Sequence, residues 1–157
     1  MRTKYSISYL LTLLTLVFVS CSKLSSNGDI DGRWQLLHIY SKTDAAAAHY
    51  KQDQDLAAQQ VYWSIQLDLL SITSSDNLNG HTPETVARFT YAPPQFSITK
   101  AYIHYRDRDS LITDPLSTSL TPIGIRGNAT NYRIARLNKT TLILCSEQDS
   151  LVFYKTH

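Results

Sequence analysis

The side chains that could carry out chemistry are few and far apart in this chain of 157 residues. Of the five histidines, His38 and His104 fall on predicted strands and could meet in space. Two imidazoles without a placed carboxylate are a weak metal site, because zinc centres use three or four protein ligands. Hydrogen-bonded or surface imidazoles are the better interpretation. We therefore expect no metal and no cofactor.

The sequence also lacks the motifs of common enzymes. It contains no Gly-rich phosphate loop, no H-E-x-x-H and no G-x-S-x-G. Only two glutamates are present, which argues against glycosidase chemistry with paired Glu residues. Asp107 and Asp109 alternate with Arg106 and Arg108, a pattern typical of a solvated hairpin tip and without the ligand spacing of a calcium loop. We therefore expect no enzymatic activity.

Cys21 has the most specific sequence context. Arg2 and Lys4 precede an uncharged apolar run that is too short for a membrane span. A basic start followed by a short apolar core is typical of a secretory signal peptide. The sequence FVSC at residues 18–21 resembles a bacterial lipobox, whose cysteine becomes the lipid-modified first residue of the mature chain. The alternatives are an ordinary cleaved signal with an incidental cysteine, or a signal anchor.

On the lipoprotein interpretation, residues 1–20 are a signal peptide and residues 21–29 a lipid-anchored polar tether. The acyl chains on Cys21 would bury enough methylene groups for stable membrane attachment. Ser22 stands where an Asp holds some lipoproteins in the inner membrane, and by that resemblance we expect the outer membrane, in either leaflet. Cys145 then has no disulfide partner, and its apolar neighbours predict a buried, unreactive thiol.

The charge of the chain excludes a polyelectrolyte partner. The formal net charge of +2 disappears when Arg2 and Lys4 leave with the signal peptide. A neutral domain with 18% charged residues and ten tyrosines is neither a disordered chain nor a nucleic-acid-binding polyelectrolyte.

Residues 30–157 are predicted to form one all-β domain. Trp34, Leu36, His38 and Tyr40 share one face of the predicted first strand, and residues 61–69 give the clearest half-buried strand. Eight or nine short strands in total, separated by turn residues, predict an antiparallel sandwich or barrel. Residues 44–60 are rich in helix formers and predict a short helix or a mobile excursion after the first strand.

The same alternation places aromatic and apolar side chains together on one face of the sheet. If Trp63 faces inward, its strand neighbours do so too, and side chains of later strands join them. A histidine and a tyrosine hydroxyl would supply the few polar groups of a small-molecule pocket. The predicted ligand-binding residues are Trp63, Ile65, Leu67, His38, Phe89, Tyr91 and Tyr105. The alternation also describes a barrel packed solid, and the sequence leaves both alternatives open.

Two stretches carry a family resemblance. Gly32-Arg33-Trp34 resembles the G-x-W start of the lipocalins and the wider calycin group. The pattern Y-x-I-x-x-L-N from residue 132, L-x-L from residue 142 and L-x-F-x-K from residue 151 resembles lipocalin-like bacterial lipoproteins of unknown function. The T-D-Y motif and the disulfide of true lipocalins are missing, so the resemblance is to the calycin-type group.

The resemblance implies a single antiparallel barrel of about eight strands, with an interior that side chains fill or that holds one small ligand. It also implies that Trp34 closes the bottom of the barrel under a cation such as Lys155. As a function, it implies a lipid-anchored envelope protein that binds a small apolar or amphipathic molecule. The alternative is a non-enzymatic interaction module of the outer membrane, with a solid barrel core and a protein partner. No nucleic-acid partner is expected.

Overall fold

The structure of the protein, a computed structural model, describes residues 26–43, 48–75 and 84–156. The predicted signal peptide and Cys21 lie outside these residues, and so does the dipeptide Asn79-Gly80, which predicts a turn. The strands are β1 (Gly32–Ser41), β2 (Gln52–Asp55), β3 (Tyr62–Gln66), β4 (Leu69–Thr73), β5 (Thr85–Ala92), β6 (Gln95–His104), β7 (Asp109–Leu111), β8 (Thr130–Leu137), β9 (Thr141–Cys145) and β10 (Asp149–Thr156). Two single 3-10 turns occur at Gly28–Ile30 and Thr121–Ile123. Within these ranges, no helix has the length and apolar character needed to cross a bilayer.

The strands form one antiparallel sheet that closes into a barrel. Eight of them make the ring, in the order β1, β3, β4, β5, β6, β8, β9 and β10, and pairing of β10 with β1 closes it. β2 pairs with the second half of β1, and β7 pairs with the second half of β6. The predicted all-β antiparallel barrel of about eight strands is confirmed.

The helix or mobile excursion predicted over residues 44–60 contains a strand in its described part. β2 pairs with β1 from His38↔Asp55 to Ser41↔Gln52. β1 has free backbone groups there because β3 pairs only with its first half, from Gly32 to Gln35. Unpaired backbone groups next to a core are costly, and β2 satisfies them. Tertiary pairing therefore outweighs the helix propensity of this segment.

The single strand predicted over residues 61–69 is wrong, because a hairpin turn divides it. β3 ends at Gln66, the chain turns at Leu67 and Asp68, and β4 runs back from Leu69. Leu67 has a φ of 58°, in the left-handed region that leucine rarely adopts. The apolar alternation runs straight through this turn without a Gly or Asn, so periodicity alone could not detect it.

A β-bulge in β1 reverses the expected orientation of the second half of the strand. Leu36 pairs with Phe153 and His38 pairs with Val152, which leaves Leu37 as an extra residue on β1. Trp34 and Leu36 face the core before the bulge, and Ile39 does so after it. His38 therefore lies on the outer face of the barrel.

The two ends of the barrel differ. At the Trp34 end, β1 begins, β10 ends, and short turns join β3 to β4, β5 to β6 and β8 to β9. At the other end, the long connection from β7 to β8 folds over the barrel, with Leu120 and Ile125 buried. We call residues 120–125 the plug, and this end the plug end.

The final residues of the predicted tether are attached to the Trp34 end. The Asn27 side-chain amide donates a hydrogen bond of 2.7 Å to the carbonyl of Leu67 and one of 2.6 Å to the Asp31 carboxylate. Ile30, three residues further on, is fully buried. Burial of this apolar side chain fixes the chain against the barrel before β1 begins.

Candidate ligand-binding site

An aromatic cluster fills the middle of the barrel. Its members are buried side chains of five strands: Trp63, Phe89, Phe96, Tyr132 and Phe153. The Trp63 ring lies 5.0 Å from Phe153 and 6.3 Å from Tyr132, measured between ring centroids. Phe96 lies 4.9 Å from Phe89 and 6.4 Å from Tyr132. These are the separations at which aromatic pairs attract each other, so the cluster gives the barrel an apolar, well-packed interior.

Trp34 covers one end of this interior. Its indole N–H donates a hydrogen bond of 2.8 Å to the carbonyl of Ile30. The Lys155 ammonium lies 4.7 Å from the Trp34 ring centroid and donates to the carbonyl of Asp29 at 2.8 Å. The cation over the indole face is the geometry of a cation–π contact. The structure thus brings together the two residues that the family resemblance pairs.

The plug covers the other end, and two members of the aromatic cluster hold it. The Trp63 indole N–H donates to the carbonyl of Ile123 at 3.2 Å. The Tyr132 hydroxyl donates to the carbonyl of Gly124 at 2.5 Å. Burial raises the pKa of Tyr132 far above that of a free tyrosine, so the hydroxyl stays protonated and remains a donor.

Gly124 is required for the shape of the plug. Its φ of 92° is in a region that side chains with a Cβ rarely adopt. A Cβ at this position would also lie 2.8 Å from a methyl carbon of Leu151, which is buried. A side chain at this position would therefore be strained in its backbone conformation and would have to displace the Leu151 side chain.

The seven predicted ligand-binding residues do not form one site. Trp63 and Phe89 belong to the aromatic cluster, and Ile65 is buried near the Trp34 end. Tyr91 is half-buried on the same inner face, opposite Phe96. Burial, together with the carboxylates of Asp29 and Asp31, raises the pKa of Tyr91. Tyr91 thus lies near the Trp34 end, away from the plug.

The other three residues lie outside the barrel, contrary to expectation. His38 is on the outer face because of the β1 bulge, where its ring stacks on Tyr40 and its Nδ1 lies 3.2 Å from an Asp53 carboxylate oxygen. Leu67 occupies the β3–β4 turn with 59% of its surface exposed. Tyr105 follows the end of β6 and is exposed. The inward orientation predicted for these three side chains is wrong, since one bulge and two chain reversals break the alternation.

Next to the plug, a polar groove of about 460 Å³ opens to solvent. Hydroxyl, amide and charged groups make up much of its lining, including Thr118, Thr121, Arg126, Asn131, Glu147 and Gln148. Thr121 belongs to both the groove and the plug. The groove therefore places hydrogen-bonding groups directly beside the cover of an apolar interior.

An ion pair joins Arg126, which lines the groove, to the buried carboxylate of Asp149. The Asp149 side chain is only 3% exposed, and Arg126 donates to both of its oxygens through Nε and Nη2, the latter at 2.9 Å. The Ser41 hydroxyl adds a third hydrogen bond of 2.6 Å to the same carboxylate. The hydrogen bond to Asp149 raises the pKa of Arg126. The pair ties the plug connection to the start of β10 and holds the guanidinium in one orientation.

Residues 26–43, 48–75 and 84–156 contain no group of three or more His, Cys, Asp or Glu side chains arranged to hold a metal ion. His104 pairs with Asp109 at 2.6 Å on the exposed β6–β7 hairpin. Cys145 is a free thiol of intermediate exposure rather than a fully buried one. Its sulfur lies 3.6 Å from the Ser150 hydroxyl.

Sequence reasoning missed the plug itself and two aromatic residues of the site. Tyr132 and Phe153 were seen only as members of family-like motifs, although their period-two neighbours predict that they face inward. Residues 120–125 contain a Pro and a Gly, which predict only a loop. Their position over the barrel depends on hydrogen bonds from two side chains elsewhere in the chain: Tyr132, 8 residues after Gly124, and Trp63, 60 residues before Ile123.

Comparisons with known proteins agree with this architecture. Residues 15–156 match a protein family described as a lipocalin-like domain. A lipocalin-like protein from Bacteroides uniformis has a similar structure, with a TM-score of 0.52 and 18% sequence identity, covering 82% of this chain and 100% of that one. A protein from Bacteroides eggerthii gives a TM-score of 0.50 at 17% identity, with the same coverage. At these identities the two structures show the fold alone. No curated protein sequence matches significantly.

Proposed function

The chain belongs to the lipocalin-like domain family, and from this premise we propose that it binds a small amphipathic molecule beneath the plug. The main support for the proposal is the way the plug is attached. The plug lies on the aromatic cluster, and Trp63 and Tyr132 donate hydrogen bonds to two of its carbonyl groups. A ligand that displaces the plug reaches an apolar surface that is already formed. Preformed apolar pockets with a few polar groups are typical of small-molecule sites.

The adjoining groove favours an amphipathic ligand over a purely apolar one. The apolar part of such a ligand would contact Trp63, and its polar head would bond to groove residues such as Thr121 and Asn131. Asp149 balances the charge of Arg126 and Glu147 adds a negative charge, so the groove suits a neutral or hydroxyl-rich head better than an anion.

We further propose that the protein is a lipoprotein of the outer membrane, anchored through Cys21. The lipobox-like sequence FVSC and the Ser that follows it support this location. Labelling cells with a palmitate analogue tests it: the native protein should take up label and the Cys21→Ser variant should not. Label in the variant would contradict acylation at Cys21.

Two single-tryptophan variants test ligand binding, because the chain has only two tryptophans and their indole N–H groups bond to different segments. Trp34 and Trp63 are register partners on β1 and β3, but Trp34 donates to Ile30 and Trp63 donates to the plug. In Trp34→Phe the remaining Trp63 should change its emission when a lipid extract or an apolar dye is added. In Trp63→Phe the change in emission of the remaining Trp34 should be smaller. A response of Trp34 alone would contradict binding under the plug.

Native mass spectrometry of protein isolated from its own host tests whether a ligand is carried at all. A bound mass that disappears on denaturation is the expected result. Absence of both a bound mass and a fluorescence response would favour the alternative, an interaction module with a solid core. Mild cross-linking in cells would then have to capture an envelope protein.

A further inference from the structure

We propose that the Trp34 end of the barrel rests on the membrane that holds the lipid anchor, with the Leu67 turn in contact with the lipid interface. This inference rests on the proposed acylation of Cys21. The exposed Leu67, which is not part of the barrel interior, would then contact lipid. The plug end would face away from the anchoring membrane.

The length of chain between the anchor and the barrel restricts the orientation. Six residue steps separate Cys21 from Asn27, so the chain between them spans at most about 22 Å. Asn27 is attached to the Trp34 end through its hydrogen bond to the Leu67 carbonyl. β1 has ten residues, which at the tilt of an eight-stranded barrel correspond to about 25 Å along the axis. With its loops, an inverted barrel would hold Asn27 further from the bilayer than the chain can reach.

The position of Leu67 favours an orientation with the Trp34 end on the membrane over one in which the barrel lies on its side. Its side chain is 59% exposed at the tip of the β3–β4 turn, in a backbone conformation that leucine disfavours. Leu69 is also exposed, and so are Pro93 and Pro94 in the β5–β6 turn. The carbonyl of Asp68 accepts a bond of 3.1 Å from the backbone N–H of Phe89, which joins the β3–β4 turn to the second half of β5.

The charges at this end do not oppose such a contact. Asp68, beside Leu67, is paired with Arg88, and Lys155 lies over Trp34. Asp29 and Asp31 add two carboxylates at the same end, and the exposed Arg33 and Lys139 add two cations. An apolar tip among charges of both signs that offset one another is compatible with the headgroup region of a bilayer.

A matched pair of exposed leucines tests the orientation. Leu67 lies at the Trp34 end, and Leu116, 84% exposed, lies beside the groove at the plug end. In full-length acylated protein carrying Cys145→Ala, Leu67→Cys and Leu116→Cys would each be labelled with an environment-sensitive fluorophore. The acylated Cys21 is a thioether and does not react. The protein is reconstituted into phosphatidylethanolamine–phosphatidylglycerol vesicles, with or without acyl chains brominated near the headgroup.

We expect a blue-shifted emission that brominated lipid quenches for the probe at position 67, and neither effect at position 116. Quenching at both positions, or at position 116 only, overturns the inference. A blue shift at position 67 without quenching indicates contact with another protein, such as a second copy of the chain, and also overturns it. Mass spectrometry of the reconstituted protein establishes acylation beforehand, so failure of the anchor and failure of the orientation are distinguishable. Equal urea midpoints for the two variants and their Cys145→Ala parent show that the barrel is intact.

Discussion

Replacing Tyr132 with Phe removes one oxygen atom from the middle of the barrel, and we expect it to loosen the plug. In the native protein this hydroxyl donates a buried hydrogen bond of 2.5 Å to the Gly124 carbonyl. The variant loses the bond and leaves the carbonyl without its donor, which costs about 1–3 kcal/mol of unfolding free energy. With a denaturant dependence typical of small domains, a loss of about 2 kcal/mol lowers the urea midpoint by roughly 1 M.

Equilibrium urea unfolding, followed by tryptophan fluorescence, measures this loss. Tyr154→Phe is the matched control, because Tyr154 is exposed on β10 and its change should lie within about 0.5 kcal/mol of zero. If the plug covers the ligand site, an apolar dye should also enter Tyr132→Phe faster than it enters the native protein. Equal midpoints for the Tyr132→Phe and Tyr154→Phe variants would refute the idea that this hydroxyl holds the plug.

Three further changes examine other contacts. Lys155→Met removes the cation over Trp34 and should cost about 0.5–2 kcal/mol in the same urea assay; an unchanged midpoint would show that the contact contributes nothing. Gly124→Ala forces a Cβ into a left-handed conformation and should cost about 1–3 kcal/mol, seen as a lower melting temperature. Asp109→Asn should lower the pKa of His104, which the hydrogen bond to Asp109 raises, towards about 6.5 in an NMR titration. The stabilisation from that native pair should be fully present below the ordinary histidine pKa and disappear as the pH rises through the raised value; an unmoved titration would contradict the pairing.

The barrel itself could be predicted because its strands keep a strict period of two wherever they are regular. The G-x-W sequence marks the beginning of β1, and the final motif ends at Lys155, which lies over Trp34. These two motifs mark the first and last strands of the ring, which pair with each other. The fold class was therefore available from the alternation of residue types and the two terminal motifs.

The site could be predicted only in part, because single-residue irregularities change which face a side chain occupies. Leu37 is one extra residue in β1, and it moves His38 to the outside. Leu67 takes a turn conformation normally reserved for Gly or Asn, so its hydrophobicity was misleading. The position of the plug depends on hydrogen bonds from Trp63 and Tyr132 to distant carbonyl groups, which no local pattern contains.

Pairing of β1 with β10 also has a consequence for how the chain folds. Arg33 pairs with Thr156, so the first strand of the ring cannot complete its pairing until the last strand has formed. Loop closure across nearly the whole domain must precede this pairing, and folds with such distant contacts form slowly. Until β10 is in place, β1 and β9 present open sheet edges that can pair with other chains. Addition of the last eight residues of the ring, those of β10, therefore closes the barrel as a monomer. Without them the open edges leave the chain prone to aggregation.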